Sequence, residues 1–467
     1  MDVEVGLLVS ASTLRWRLAA PSAASHVRCN IRIRATWLPG GTWGPVVASA
    51  LAGAAVPGLR GRRSGLRCRA GALPLLPDEA GPILMLPSIT TVTFYQGPVD
   101  VEILCGMTEE LIRANPWLAG QLRRDKATGM VNLWVPSEVQ DFSKHFKQTL
   151  REDLEMHMPL MKMRATLQDL TVKPGIQCLD ASEPLFSVAL VQTHTTDTFC
   201  LVVSMSHVLG DGFTYYRLYG ALDQRPTQVA GITYQGSAGP ARARLNPWRK
   251  ADFPRAVAQA LGPQQAWPSS RAARWGSLLD ALLRPKHRWQ AWEVDATWLR
   301  DQKRRFQDEG GFVSSNDVLT SWFLTAGNFD YGIMSVNFRG RLCGLNKTHA
   351  GNYKAGLAFW PTDFASPRGI RKSLQNPPYF RAERQDVPGF FRSVAGRVGV
   401  ATNWASVYQE LHLQNCQQLL HLPVLGDVQV HGAMIIFRPQ PDKLGMVLGE
   451  RKRRPRRPSV AVSEPIC

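Results

Sequence analysis

Alternation of apolar and polar positions sets in near Ile89 and recurs, with one long break, to about Pro439. Thr91 to Tyr95 predicts a strand, closed by the turn signal Gly97-Pro98. Val101, Leu104, Cys105, Leu111 and Ile112 then recur at helical spacing. That helix should stop before Asn115-Pro116, because a proline pushes the residue ahead of it out of helical geometry. Val131 to Val135 predicts a short strand. Leu185 to Gln192 and Phe199 to Met205 predict two buried strands joined by a polar turn, His194 to Asp197. The second of them runs straight into Ser206-His207-Val208-Leu209-Gly210-Asp211-Gly212, after which helical spacing resumes from Phe213 to Leu222.

From Asp223 to about Arg288 the pattern dissolves into Pro, Gly, Gln, Arg and Trp, the composition of a crossover between two halves. Pattern returns with a strand at Trp292 to Val294 and a helix at Thr297 to Phe306; Gly310-Gly311 supplies the turn after it. Ser314 to Asn316 predicts an N-cap for the apolar helix Asp317 to Ala326. Further strands are predicted at Gly332 to Phe338, Lys354 to Trp360, Gly399 to Trp404 and Ala433 to Pro439. The fold class is α/β (α+β), two mixed halves joined by a loose crossover.

Charge changes the picture only at the ends. The formal net charge is +18, but no acidic residue occurs from Val5 to Pro77, where Arg15, Arg17, Arg28, Arg32, Arg34, Arg60, Arg62, Arg63, Arg67 and Arg69 all fall. A second basic cluster, Arg451 to Arg457, lies near the end, so the body between is only mildly basic and does not read as a nucleic-acid-binding domain. Arginine without lysine, many Ala, Ser and Gly and almost no acid give residues 1–87 the composition of a plastid or mitochondrial transit peptide; a disordered extension is the alternative, and would leave the protein cytoplasmic. The small-residue run Trp43 to Leu59 is broken by Pro45 and Pro57, and with a mean hydropathy of -0.17 no membrane span is expected. The domains expected are therefore the extension 1–87, a first lobe 88–222, a crossover 223–290, a second lobe 291–449 and a basic tail 450–467.

The eight cysteines are scattered without a close pair, and His412, His421 and His431 have no accompanying carboxylates or thiols at metal-ligand spacing, so no metal is expected. The chain has no G-x-S-x-G, no P-loop and no dinucleotide fingerprint. What remains is His207, where a buried strand breaks into a loop. Imidazole titrates near neutral pH and can take a proton from a hydroxyl, thiol or amine as that atom attacks a carbonyl. Alone, a histidine in a loop after a strand is more often structural than a base, and H-x-x-x-D-G by itself is a weak signal.

Four stretches in order favour the base. SHVLGDG (Ser206 to Gly212) resembles the signature of the chloramphenicol acetyltransferase-like superfamily, which includes plant BAHD acyltransferases, condensation domains and wax-ester synthases. FYQGPVDVEIL with ANPWLAGQL (Phe94 to Leu122), VSSNDVLTSWFL (Val313 to Leu324) and NFRGRL with GNY (Asn337 to Tyr353) resemble further segments of that family, and together they span about Ile89 to Gly449. The resemblance implies a two-lobed fold of mixed sheets and helices with a channel between the lobes and His207 midway along it. It implies an acyl-CoA-dependent acyltransferase with no bound cofactor, in which His207 deprotonates a small-molecule alcohol or amine and no covalent acyl-enzyme forms. Asp211 and Gly212 are then structural, with Arg339 as the partner of Asp211. ATNWAS resembles the family's T-S-W segment, so Thr402 is either an oxyanion donor or an edge-strand threonine, and Trp404 a channel wall or a packed indole. Asn352 either lines the channel or forms a turn. The plant hallmark DFGWG is absent, His421 to Gly432 standing in its place. Ser206 stands where condensation domains and wax-ester synthases carry a second histidine, which favours transfer from free acyl-CoA. A monomer without nucleic-acid partners is expected. The competing readings are a binding or scaffold protein that keeps the fold without turnover, and a nucleic-acid or membrane-surface protein built on the basic ends.

Overall fold

The computed structural model describes residues 71–195, 197–225, 227–229, 232–234, 244–261, 287–308, 311–374, 395–428, 430–450 and 461–466. All of them belong to one compact unit, Ser64–Cys467. The Arg-rich stretch before residue 71 and the basic run Arg451 to Arg457 lie outside the described residues.

The elements of the first half are β1 (Gly71–Pro74), β2 (Ile89–Gln96), α1 (Val101–Ala114), β3 (Gln121–Arg124), β4 (Val131–Val135), β5 (Phe146–Leu150), α2 (Leu160–Thr166), α3 (Gly175–Cys178), β6 (Phe186–Gln192), β7 (Thr198–Met205) and α4 (Gly212–Tyr219). Between the halves come β8 (Thr227–Val229), β9 (Ile232–Tyr234) and α5 (Phe253–Leu261). The second half holds β10 (Arg288–Val294), α6 (Ala296–Asp308), α7 (Ser315–Ala326), β11 (Tyr331–Asn337), β12 (Lys354–Phe359), α8 (Pro361–Phe364), α9 (Pro367–Ser373), β13 (Val398–Asn403), β14 (Gln417–Pro423), β15 (Gly432–Phe437), β16 (Gly445–Glu450) and β17 (Val462–Pro465).

Two large mixed sheets carry the molecule, one ordered β14-β2-β7-β6-β5 and the other β12-β11-β13-β15-β16-β10-β17. In the first, β2 and β7 pair antiparallel from Ile89↔Met205 to Gln96↔Thr198, so the end of β7 that feeds the His207 loop lies beside the start of β2. In the second, β11, β13 and β15 run parallel, which brings the ends of β11 and β13 to the same edge. The apolar side chains form two cores, the first of which also takes in Ala291, Ile435, Phe437 and Val447 from the larger sheet. Val92, Phe94, Leu201 and Val203 anchor one; Leu319, Phe323, Phe338, Leu357 and Ile436 anchor the other. β6 and β7 are apolar at nearly every position because both faces are covered. The cap of α7 is a reciprocal one: Asp317 N–H donates to Ser314 Oγ at 3.3 Å, and Ser314 N–H to Asp317 Oδ2 at 2.7 Å.

Three features differ from the pattern-based boundaries. Residues 71–87, assigned by composition to the extension, contain β1, which pairs with β4, and the fully buried Glu79. The tail after Glu450 contains β17, which adds to β10 at the edge of the larger sheet. β14, a segment of the second half that has weak alternation, leaves its own lobe and pairs with β2 along Gln417↔Gln96 to Pro423↔Thr91. Leu420 and Leu422 thereby enter the first core, and the buried His421 ring sits between β2 and α4. Its Nδ1 is 2.8 Å from Thr93 Oγ1 and its Nε2 2.9 Å from Tyr216 Oη. Among the described residues, no helix is long and apolar enough to cross a membrane.

Candidate active site

The loop that carries His207 is held tightly at both ends. Ser206 N–H donates to Leu185 O at 2.7 Å, continuing the sheet, and Asp211 caps α4 by accepting from Thr214 N–H at 3.0 Å. Gly210 is required between them, since a Cβ there would stand 2.7 Å from the Thr214 side chain. His207 projects from this loop, part-buried, toward the segment that joins β11 to β12 in the second half.

Asn352 meets it there. Asn352 Nδ2 donates to His207 O at 2.8 Å and to Glu79 Oε1 at 3.1 Å. Both of those atoms can only accept, so the amide orientation is fixed and Oδ1 is the atom 3.1 Å from His207 Nδ1. Oδ1 can only accept in turn, so Nδ1 carries the proton. The ring's own backbone carbonyl also bonds it and acts in the same sense. Nε2 is left as the basic nitrogen. The His207 pKa is pushed down to about 4, first by loss of hydration and then by the nearby Lys354 ammonium, with Asp211 and Asn352 opposing. The ring is therefore neutral at physiological pH.

Asp211 does not face the imidazole. Its Oδ2 accepts from Arg339 Nη1 at 2.7 Å and from Tyr353 N–H at 3.1 Å. All five guanidinium donors of Arg339 are used: Nε to His349 O, Nη1 to Asp211 and Asn337 Oδ1, Nη2 to Gly351 O and Thr214 Oγ1. Burial alone would raise the Asp211 pKa, but Arg339 and the α4 cap outweigh it and hold the carboxyl below its usual range. Asp211 and Arg339 are thus a buried staple between the lobes.

A second staple was not legible in the sequence. Glu79, fully buried, accepts from Arg249 Nε at 2.9 Å and Leu76 N–H at 3.0 Å through Oε2, and from the backbone and side chain of Asn352 through Oε1. Arg249 goes on to Pro247 O, Ala350 O and Leu209 O. Glu79 lies in the stretch read as extension and Arg249 in the patternless crossover. Only the position of Asp78-Glu79, the first acids after a long acid-free run, marked the site.

Thr402 stands part-buried on β13, and Trp404 follows just beyond that strand's end. The Trp404 indole packs edge-on to Tyr216, ring centroids 6.2 Å apart, and lies over Gly212. Trp404 belongs to the first core and Ala401 to the second, so Thr402 sits at the seam between them. The structure thus pairs His207 with Asn352 and Asp211 with Arg339, the two pairs joined through the Gly351–Tyr353 backbone, with Trp404 against Gly212. A separate cavity of about 630 Å³ opens on the face of the first sheet turned away from α4, lined by Thr90, Ser187, Lys147, Arg164 and Lys173 among others. His207 does not line it, and it offers none of the oriented polar groups found at the seam. Among the described residues, no three His, Cys, Asp or Glu side chains gather as a metal site would.

No protein-family model matches the chain, and no curated protein sequence does. Solved structures do. TRI101 of F. graminearum in complex with coenzyme A and deoxynivalenol aligns at a TM-score of 0.54 and 14% identity, over 82% of this chain and 96% of that one. F. sporotrichioides TRI101 complexed with coenzyme A and T-2 aligns at 0.52 and 14%, over 81% and 95%. The first condensation domain of the calcium-dependent antibiotic synthetase, in complex with a substrate analogue, aligns at 0.52 and 11%, over 81% and 90%. TRI101 and the condensation domains share one superfamily and one two-lobed architecture. The fold of this chain is that of the chloramphenicol acetyltransferase-like superfamily.

Proposed function

We propose that this protein transfers an acyl group from acyl-CoA to the hydroxyl or amine of a small molecule, with His207 Nε2 as the general base. The observation that carries the reading is the Asn352 clamp, which places the proton on Nδ1 and leaves Nε2 free to accept one. As the acceptor O–H or N–H gives its proton to Nε2, its heavy atom attacks the thioester carbonyl. The tetrahedral oxyanion then collapses, the C–S bond breaks, and the imidazolium returns the proton to the departing thiolate. The hydroxyl of Thr402 is assigned to the oxyanion and Trp404 to the wall of the substrate path. No side chain is acylated, and the chemistry needs no cofactor beyond the co-substrate. The neighbours in complex with coenzyme A support the choice of donor.

The test is CoA release by the full chain with a panel of acyl-CoAs and mixed alcohols and amines. Release should require the acceptor and fall by about 10²–10⁴-fold in His207→Ala, the usual contribution of a positioned base. Turnover that survives His207→Ala unchanged would exclude this role.

A further inference from the structure

We infer that Lys354 is an anion-recognition residue of the same site, and that the substrate brings a carboxylate or similar anionic group close to His207. The inference rests on the acyl-transfer reading. Lys354 opens β12 directly opposite Asn337 of β11, the residue whose Oδ1 receives Arg339. It lies two residues after Asn352, which grips the His207 ring, and one after Tyr353, whose N–H bonds Asp211. Its side chain is part-buried, and among the described residues its ammonium has neither a hydrogen-bond nor an ion-pair partner. The two carboxylates that act on it are Asp211 and Asp78. Asp211 is already engaged by Arg339, Thr214 and Tyr353, and Asp78 lies exposed at the surface.

A part-buried cation that keeps only the partial counter-charge of Asp211, already tied to Arg339, and of the surface Asp78 is costly to desolvate, and it also works against the base beside it. Burial holds the Lys354 amine below its usual range, and its charge is one of the causes that depress His207. Both disadvantages are relieved when a substrate supplies a further negative charge directly at the ammonium. The base would then be strongest when the right substrate is bound. The phosphates of CoA are at the far end of a long pantetheine arm from the sulfur, so the charge must come from the acyl chain or the acceptor.

The experiment has an arm for each source, run on the full chain. In one, succinyl-CoA is compared with butyryl-CoA for binding and for turnover. In the other, with acetyl-CoA as donor, hydroxy and amino acids are compared with alcohols and amines of equal chain length. The unmutated protein should favour the charged member in at least one arm. Lys354→Gln should lower that charged-to-neutral ratio by about ten- to hundredfold, as expected for a charge-assisted bond, and Lys354→Arg should restore most of it. Thioester binding or turnover with no charge preference in either arm overturns the inference and leaves acyl transfer standing; so does a ratio that Lys354→Gln leaves unchanged. If the unmutated protein neither binds nor turns over any thioester, the acyl-transfer reading itself is overturned and this one falls with it.

Discussion

Asn352→Ala is the most direct test of how the histidine is prepared. The substitution removes the 3.1 Å bond to Nδ1 and the 2.8 Å bond to the His207 carbonyl, and strips Glu79 of one of its donors. A neutral hydrogen bond is worth about 1 kcal/mol net, and loss of tautomer control in a carboxylate-held histidine costs about 10⁴ in kcat. Here the partner is a neutral amide and the ring keeps the bond to its own carbonyl, so the expected fall in kcat is intermediate, about 10–100-fold. The pH profile gives an independent readout. On the proposed mechanism, the unmutated protein should hold a plateau of activity above about pH 5 and lose it as the pH falls through about 4, where His207 becomes protonated and can no longer act as a base. The Asn352 bond raises that pKa, so Asn352→Ala should shift the acid limb to lower pH while lowering the plateau. Asn352→Asp should shift it upward, since a carboxylate favours the imidazolium, at the cost of facing Glu79 with a like charge. The assay is steady-state CoA release across pH, with urea denaturation to confirm that the variants are folded. A kcat within twofold of wild type for Asn352→Ala, or an acid limb that moves up, would refute the clamp.

Asp211→Asn should destabilise the fold by about 3–5 kcal/mol in urea, because it leaves Arg339 buried without its counter-charge; Asp211→Asn with Arg339→Met should cost less than the sum of the two single changes. Additive costs would mean the pair is not coupled. Thr402→Ala should lower kcat by about 10²–10³-fold with little change in KM, and Thr402→Ser, which keeps the hydroxyl, should recover most of it; equal losses in both would remove Thr402 from the oxyanion role. Acid should destabilise the protein through its buried histidines. His421 is held at about 3 and His207 at about 4, below the unfolded value of 6.5, so the native state binds fewer protons between those limits. Their contribution is complete above about pH 6.5 and is lost as the pH falls toward the folded values, for His421 on the order of 5 kcal/mol. His421→Phe should flatten this part of the stability profile, measured by denaturant unfolding from pH 7 to 4, and an unchanged slope would contradict the assignment.

How much of this could be read from the chain depends on where the information resides. His207, Asp211, Arg339 and Asn352 belong to short stretches whose order along the chain is itself informative, and the strands and helices around them have strong local periodicity. Glu79 and Arg249 carry no such signal, because a buried ion pair is defined by a partner 170 residues away and each member sits in unpatterned sequence. β14 was hidden for a related reason. Its environment is set by β2 and α4 of the other lobe, and Gln417-Gln418 ahead of Leu419-Leu420 presents neither clean alternation nor a helical period. Lys354 was visible only as the first residue of a strand. Its significance lies in the absence of a partner among the described residues, which no spacing along the chain reveals.

The lobe exchange made by β14 also has a consequence for how the polypeptide reaches its native state. The first sheet cannot be finished until a segment more than 200 residues downstream of β7 has been synthesised, so until then β2 presents an open backbone edge. Pairings of such sequence separation form late and slowly, which leaves the N-terminal half exposed to wrong edge-to-edge association while the ribosome is still at work. Expression of the two halves as separate polypeptides should therefore yield an aggregating first half. Supplying the second half in trans should rescue it, with strand β14 as the piece that makes the fragments recognise each other.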